Sequence, residues 1–201
     1  MTDEEIATRL AEIEEATDPS ERSIMAAVLV GRAFRDEGHK MVLVGGSAVE
    51  FYTDGLYVSA DVDICFLGQS SYEATQRVMK RLAEKTTGRH FEMAGCYVEI
   101  LGSIESNART DFLRLADKDG SEAIYIDMLE ELVAERVYRA AADRREKDID
   151  CAIKLLGVCI RGLQQVDWDE VRRLLRSGIY RAEPALDEFI SMTRKQLGID
   201  P

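Results

Sequence analysis

The chain has 201 residues, 46% of them hydrophobic, with 38 acidic side chains against 26 basic ones and a formal charge of −12. That length suits one compact domain or a domain with an extension, and the apolar share is enough for a real core. So acidic a chain gains nothing from counterion release on phosphate backbones, which argues against nucleic acid as its main ligand unless a local basic strip overrides the total. No apolar run approaches the ~20 residues of a membrane span and no signal peptide opens the chain, so a soluble, cytoplasmic protein without membrane partners is expected.

The elements follow in order. Thr2 with Glu5 makes a capping box, and Ile6, Leu10 and Ile13 form a narrow apolar stripe, predicting a helix to about Ala16. Asp18-Pro19 restarts the chain, and a second helix is expected from Ser20 to a stop at Gly38. Met41 to Val44 form an apolar, β-branched run ending at Gly45 and Gly46, the pattern of a buried strand closed by a tight turn. Ser47 then opens a short apolar-periodic stretch, as a helix N-cap would. Two residues without side chains let an anion approach the backbone amides there. Asp61 and Asp63, two apart on a strand over 61–66, project from one face, while Val62 and Ile64 point the other way. Paired acids repel unless a cation sits between them, and a divalent metal is the usual solution.

Ser70 to Glu73 opens a helix to about Lys85, and strands are expected near 90–93 and 97–101, around Gly95. Tyr97, Glu99 and Leu101 share a face of the second of these strands, where Glu99 stands as a charge between Val98 and Ile100. An embedded carboxylate is costly unless paired or metal-bound, so Glu99 is the first candidate for a third acid. The plainer account is a glutamate at a sheet edge facing solvent. Asp127, after the strand Ala123–Ile126, competes with it, although its position before Leu129 and Glu130 suits an N-cap with a capping-box glutamate. Glu92 would point inward under another register. Residues 112–116 and 122–126, joined by Asp117 to Gly120, read as a β-hairpin, and Asn107 to Thr110 as loop.

From 128 onward the pattern is helical, over 128–142, 146–162, 167–177 and 184–197. Ile149, Ile153, Leu156, Ile160 and Leu163 form the expected packing stripe of the second of these helices. In the first, Leu129, Leu132, Val133, Val137 and Ala140 define an apolar arc with Arg136 near its centre, and Arg144 stays near that face if the helix continues unbroken. Arg136 is then either a snorkelling residue covering core with its stem or a guanidinium aimed at phosphate. Cys65, Cys96, Cys151 and Cys159 have no CxxC spacing, and with only two histidines they read as reduced core thiols rather than zinc ligands.

The turn Gly45-Gly46-Ser47 followed by Asp61-Val62-Asp63 resembles the signature of the polymerase-β-like nucleotidyltransferase superfamily. Leu129 to Arg136 and the looser Arg144 to Asp150 resemble segments of its bacterial and archaeal branch with abortive-infection-type toxins, and the resemblance covers roughly 40–155. One departure stands out: that branch commonly carries an arginine where this chain has Tyr57, while Ser59 fits its hydroxyl position. The resemblance implies an α/β (α+β) fold with a mixed sheet flanked by helices and a C-terminal helical bundle, divided as 1–127 and 128–201. It also implies a nucleoside triphosphate over Gly45, Gly46 and Ser47, with Ser59, Arg136 and Arg144 as further nucleotide contacts. Mg²⁺ or Mn²⁺ would be held by Asp61, Asp63 and Glu99, with Glu99 doubling as general base. A nucleoside monophosphate would pass to a hydroxyl of a small molecule, protein or RNA end, and a place in a toxin–antitoxin pair would add a cognate protein partner. A module of the same fold that binds nucleotide or a partner protein without turnover is the alternative.

Overall fold

The computed structural model describes residues 1–104 and 111–199, so the loop expected at Asn107 to Thr110 lies outside the described residues. Helix α1 (Asp3–Glu15) starts at the expected capping box, in which the Thr2 hydroxyl accepts from the Glu5 amide and the Glu5 carboxylate accepts from the Thr2 amide. Asp18, one residue ahead of Pro19, caps α2 (Pro19–Asp36) by accepting from the Ser20 and Glu21 amides. Then come β1 (Met41–Leu43), α3 (Gly45–Tyr52), β2 (Val62–Phe66) and α4 (Tyr72–Leu82). After α4 the chain forms β3 (Lys85–Thr87), β4 (His90–Met93), β5 (Cys96–Ser103), β6 (Leu113–Ala116) and β7 (Glu122–Ile126). It finishes in α5 (Leu129–Asp143), α6 (Glu146–Ile160), α7 (Trp168–Arg176) and α8 (Glu183–Leu197).

Among the described residues the strands form one seven-stranded sheet in the order β3-β4-β5-β2-β1-β7-β6. The sheet is mixed: β2 runs parallel to β5 and β1 parallel to β7, while the remaining neighbours are antiparallel. Ala94 and Gly95 both take positive φ between Met93 and Cys96, as the two-residue loop of a tight hairpin does. On one face Met41, Leu43, Ile64, Phe66, Ile124 and Ile126 are buried, and α2 packs on that side against β1, β2 and β7. Gly31 of α2 lets the helix touch the sheet: a Cβ there would stand 2.6 Å from the Ile124 Cβ and 2.7 Å from the Ala123 carbonyl oxygen. Gly31→Ala is therefore expected to destabilise the protein by about 1–3 kcal/mol through overpacking, read by urea denaturation. An unchanged midpoint would show that α2 shifts away freely.

The chain divides into two compact units. The first holds the sheet with α1 to α4; the second holds α5 to α8 together with Tyr52–Tyr57. Within the second, α5 packs on α6, α7 and α8, and α6 on α8. The buried face of α6 is Cys151, Ala152, Leu155, Leu156, Val158 and Cys159. That corrects the expected stripe: Ile149, Ile153 and Ile160 are only half-buried, and Leu163, 65% exposed, lies beyond the helix end. All four cysteines are free and buried, and burial pushes the Cys159 thiol up to about 12. Among the described residues no helix is long and apolar enough to cross a membrane.

Candidate functional site

The second face of the sheet carries the acids. Side chains two apart on a strand share a face, so Val42, Val44, Asp63, Cys65, Glu99, Tyr125 and Asp127 all stand on it, by the registers Val42↔Cys65, Val42↔Tyr125 and Asp63↔Glu99. Val42, Val44, Cys65 and Tyr125 make a small apolar cluster with Leu67, Ile104 and Phe112 against it. Because β2 runs antiparallel to β1, its acidic start lies beside the end of β1 and the turn at Gly45.

That junction is tightly specified. The Val44 amide donates to the Asp63 carbonyl over 2.9 Å. Buried Ser47 receives the Asp63 amide on its Oγ at 3.0 Å and donates to the Val44 carbonyl at 2.9 Å. Ser47 is therefore not the N-cap its sequence position suggested: α3 already begins at Gly45, and the hydroxyl clamps β1 to β2 instead. Gly45 has φ +65°, and a Cβ on it would overlap the Asp63 carboxylate. Glycine is thus required twice over, by backbone conformation and by the acid lying on it.

Asp61 is exposed and Asp63 half-buried. Glu99 is only 8% exposed and sits directly opposite Asp63 on the adjacent parallel strand, one strand spacing or about 4.8 Å away in backbone terms. The Glu99 carboxylate is ion-paired with the Arg89 guanidinium, and His90 Nδ1 stands 3.7 Å from its other oxygen. Oε1 is nevertheless fully buried without an aligned hydrogen bond. Asp127, also buried, is separated from Asp63 by β1, so it stands roughly two strand spacings away. Nor is it the expected N-cap: Met128 occupies that position of α5, with no side-chain cap. Glu92 pairs with Tyr97 on β4, a strand farther from β2 than Glu99.

Carboxylate oxygens are the hard donors Mg²⁺ and Mn²⁺ prefer, and a buried carboxylate without an aligned hydrogen bond on Oε1, beside a second acid, fits such an ion. Among the described residues no three acidic, histidine or cysteine side chains close a complete shell on their own. A cation there would need further oxygens, and phosphates are suitable donors.

Two residues that sequence reasoning passed over help build the site. Glu50 of α3, 1% exposed, takes the Ser20 hydroxyl at 2.6 Å and the Ser59 amide at 3.0 Å, anchoring the segment that leads into Asp61. A charge inside the apolar stretch from Ala48 to Tyr52 was the available signal. Arg89, in the loop between β3 and β4, left none.

In the helical unit Arg136 is buried among the expected apolar residues, 6% exposed, with its Nη2 3.3 Å from Glu135 and its Nε without a partner. Tyr57 and Cys151 lie near it: burial pushes the Cys151 thiol up and the Arg136 charge partly offsets this. Arg136→Met is expected to keep unfolding free energy within about 1 kcal/mol of the parent, because a poorly paired buried charge gives way to an apolar group of similar size. A loss above about 3 kcal/mol in a urea melt would show that the guanidinium is structurally required. Arg144 does not extend the same face. It is the left-handed C-cap of α5, and its exposed guanidinium pairs with Glu188 over 2.7 and 3.2 Å.

Two solved structures share this architecture. The antibiotic-resistance factor ANT(2″)-Ia aligns over 85% of this chain and 97% of its own, at 14% identity and a TM-score of 0.50. An antigenic nucleotidyltransferase-like protein from Paracoccidioides brasiliensis aligns over 88% and 94%, at 12% identity and a TM-score of 0.54. The chain has a nucleotidyltransferase-type fold. No family model matches the sequence, and no curated protein matches it. At such identities the likeness extends to the fold, and the chemistry has to be argued from the residues themselves.

Proposed function

We propose that this protein is a metal-dependent nucleotidyltransferase that moves a nucleoside monophosphate from a triphosphate to a hydroxyl acceptor. The observation that carries this reading is the pairing of Asp63 with Glu99 on adjacent strands, beside a glycine turn that admits nothing larger than glycine against Asp63. Asp61, Asp63 and Glu99 would hold Mg²⁺ or Mn²⁺, which when bound neutralises phosphate charge and favours ionisation of an attacking hydroxyl.

The chain's own residues supply the rest. At the start of α3, Gly46 would let phosphate oxygens approach the backbone amides, while Gly45 leaves the space that the Asp63 carboxylate fills. Ser47 holds the Asp63 main chain in place, and Glu50 holds the segment at Ser59. The Glu99 carboxylate, buried on the same face as Asp63, would accept the acceptor's proton. The Leu129 to Arg136 segment supports the toxin-bearing branch, with a cognate protein partner and an acceptor on a small molecule, a protein or an RNA end.

Each labelled triphosphate, incubated with Mg²⁺ and cell extract, should transfer label to one acceptor class. Thermal melts give a second readout. Mg²⁺ and triphosphate together should raise Tm well beyond either alone, because phosphates complete the metal shell. Equal shifts with metal alone and no triphosphate effect would overturn the nucleotide assignment. The Arg89 ion pair on Glu99 favours the second reading, a nucleotide-binding module without turnover. That reading predicts the joint Tm shift with no transfer of label.

A further inference from the structure

Arg89 and Glu99 form an unusual couple. The carboxylate is buried, whereas the arginine side chain is 65% exposed and comes from the short loop at Gly88 and Arg89 between β3 and β4. The loop's backbone is tied down, since the Ile100 amide donates to the Arg89 carbonyl at 3.3 Å and Thr87 pairs with His90. The side chain itself is not enclosed by the loop that carries it. It meets Glu99 through Nε on Oε1, an ion pair in which that oxygen has no aligned hydrogen bond. A well-made arginine–carboxylate fork would show two parallel hydrogen bonds. This pair supplies charge balance without that geometry, as a replaceable partner would.

We infer that Arg89 is an exchangeable counter-ion of Glu99 that gives way to a divalent cation and then turns its guanidinium to the phosphates of the bound nucleotide. The inference rests on the reading of Glu99 as a metal ligand. Its physical basis is competition for one carboxylate. A dication seated between Asp63 and Glu99 satisfies the buried oxygen and repels the neighbouring guanidinium. A triphosphate carried in with the metal then offers that planar guanidinium multiply charged phosphate oxygens suited to its donor fork. Arg89 thereby opposes the bare metal and favours the metal–triphosphate pair, which would keep free cations from filling the site without substrate.

The signature is a pair of effects of opposite sign in one variant. In Arg89→Gln, Mn²⁺ alone, titrated by electron paramagnetic resonance, should bind about two- to fivefold more tightly, the worth of a partly exposed ion pair. Inorganic triphosphate, titrated calorimetrically at saturating Mn²⁺, should bind about tenfold more weakly, the worth of a charge-assisted hydrogen bond. Arg89→Lys, which keeps the charge and loses the fork, should leave Mn²⁺ affinity near that of the parent and weaken triphosphate binding less than Arg89→Gln does. Arg89→Lys should melt with the parent, whereas metal-free Arg89→Gln, which leaves the buried Glu99 carboxylate without its counter-ion, should melt lower and recover with Mn²⁺.

Unchanged or weaker Mn²⁺ binding in Arg89→Gln would overturn the inference alone, as would unchanged triphosphate binding. Failure of both parent and variant to bind Mn²⁺ would overturn the metal-site reading and this inference with it.

Discussion

Asp63→Asn is expected to reduce nucleotidyl transfer at least about 100-fold while the protein stays folded, and Asp61→Asn to do the same. Each substitution keeps the shape of the side chain and removes a charge that would hold a cation. Asp63 stands beside Glu99 on the neighbouring strand, so neutralising it relieves like-charge crowding, and the metal-free melt should stay level or rise. Exposed Asp61 should leave the melt unmoved. Label transfer and calorimetric melting on the same preparations test both halves. A loss above about 2 kcal/mol in both variants would show that the acids serve the fold rather than the chemistry.

The largest stability effect is expected at Gly45. Alanine there meets two penalties. A φ of +65° costs a non-glycine residue about 1–2 kcal/mol, and its Cβ would overlap the Asp63 carboxylate. Gly45→Ala should therefore destabilise the protein by about 2–4 kcal/mol in urea denaturation and displace Asp63, with loss of transfer. Gly45→Ala/Asp63→Ala separates the two penalties: removing the carboxylate leaves the backbone strain but takes away the collision. The double variant should be more stable than the sum of the single effects by about 1 kcal/mol or more. Additivity within about 0.5 kcal/mol would show that Asp63 simply swings aside.

Much of the fold was legible because its signals are local. The capping box at Thr2, the proline after Asp18 and the helical pattern from 128 onward place those elements within a few residues. The hairpin of β6 and β7 followed from two runs flanking a turn. The β3 strand had no such signal. Lys85, Thr86 and Thr87 are all exposed, and they form a strand because β4 offers a free edge, so the helix expected to reach Lys85 ends at Leu82. The condition set on Arg144, an unbroken helix, fails for the same kind of reason: helical phase says nothing about where a helix stops, and its partner Glu188 is 44 positions away.

The candidate site shows the same division. Gly45, Asp61 and Asp63 stand out in the sequence because a glycine turn and alternating acids are local patterns with local physical consequences. Glu99 was chosen for a carboxylate's cost among apolar neighbours, also a local argument. That Glu99 stands opposite Asp63 follows from β5 inserting in parallel beside β2, and that Asp127 stands two strands off follows from β1 lying between. Sequence by itself determined which residues carry charge, where the chain turns and which faces are apolar. Only the tertiary structure decided which acids are neighbours, that Ser47 clamps two strands, and that Arg89 holds Glu99. Strand order and ion pairing join residues far apart in the chain, and nothing in the periodicity of either partner records the other.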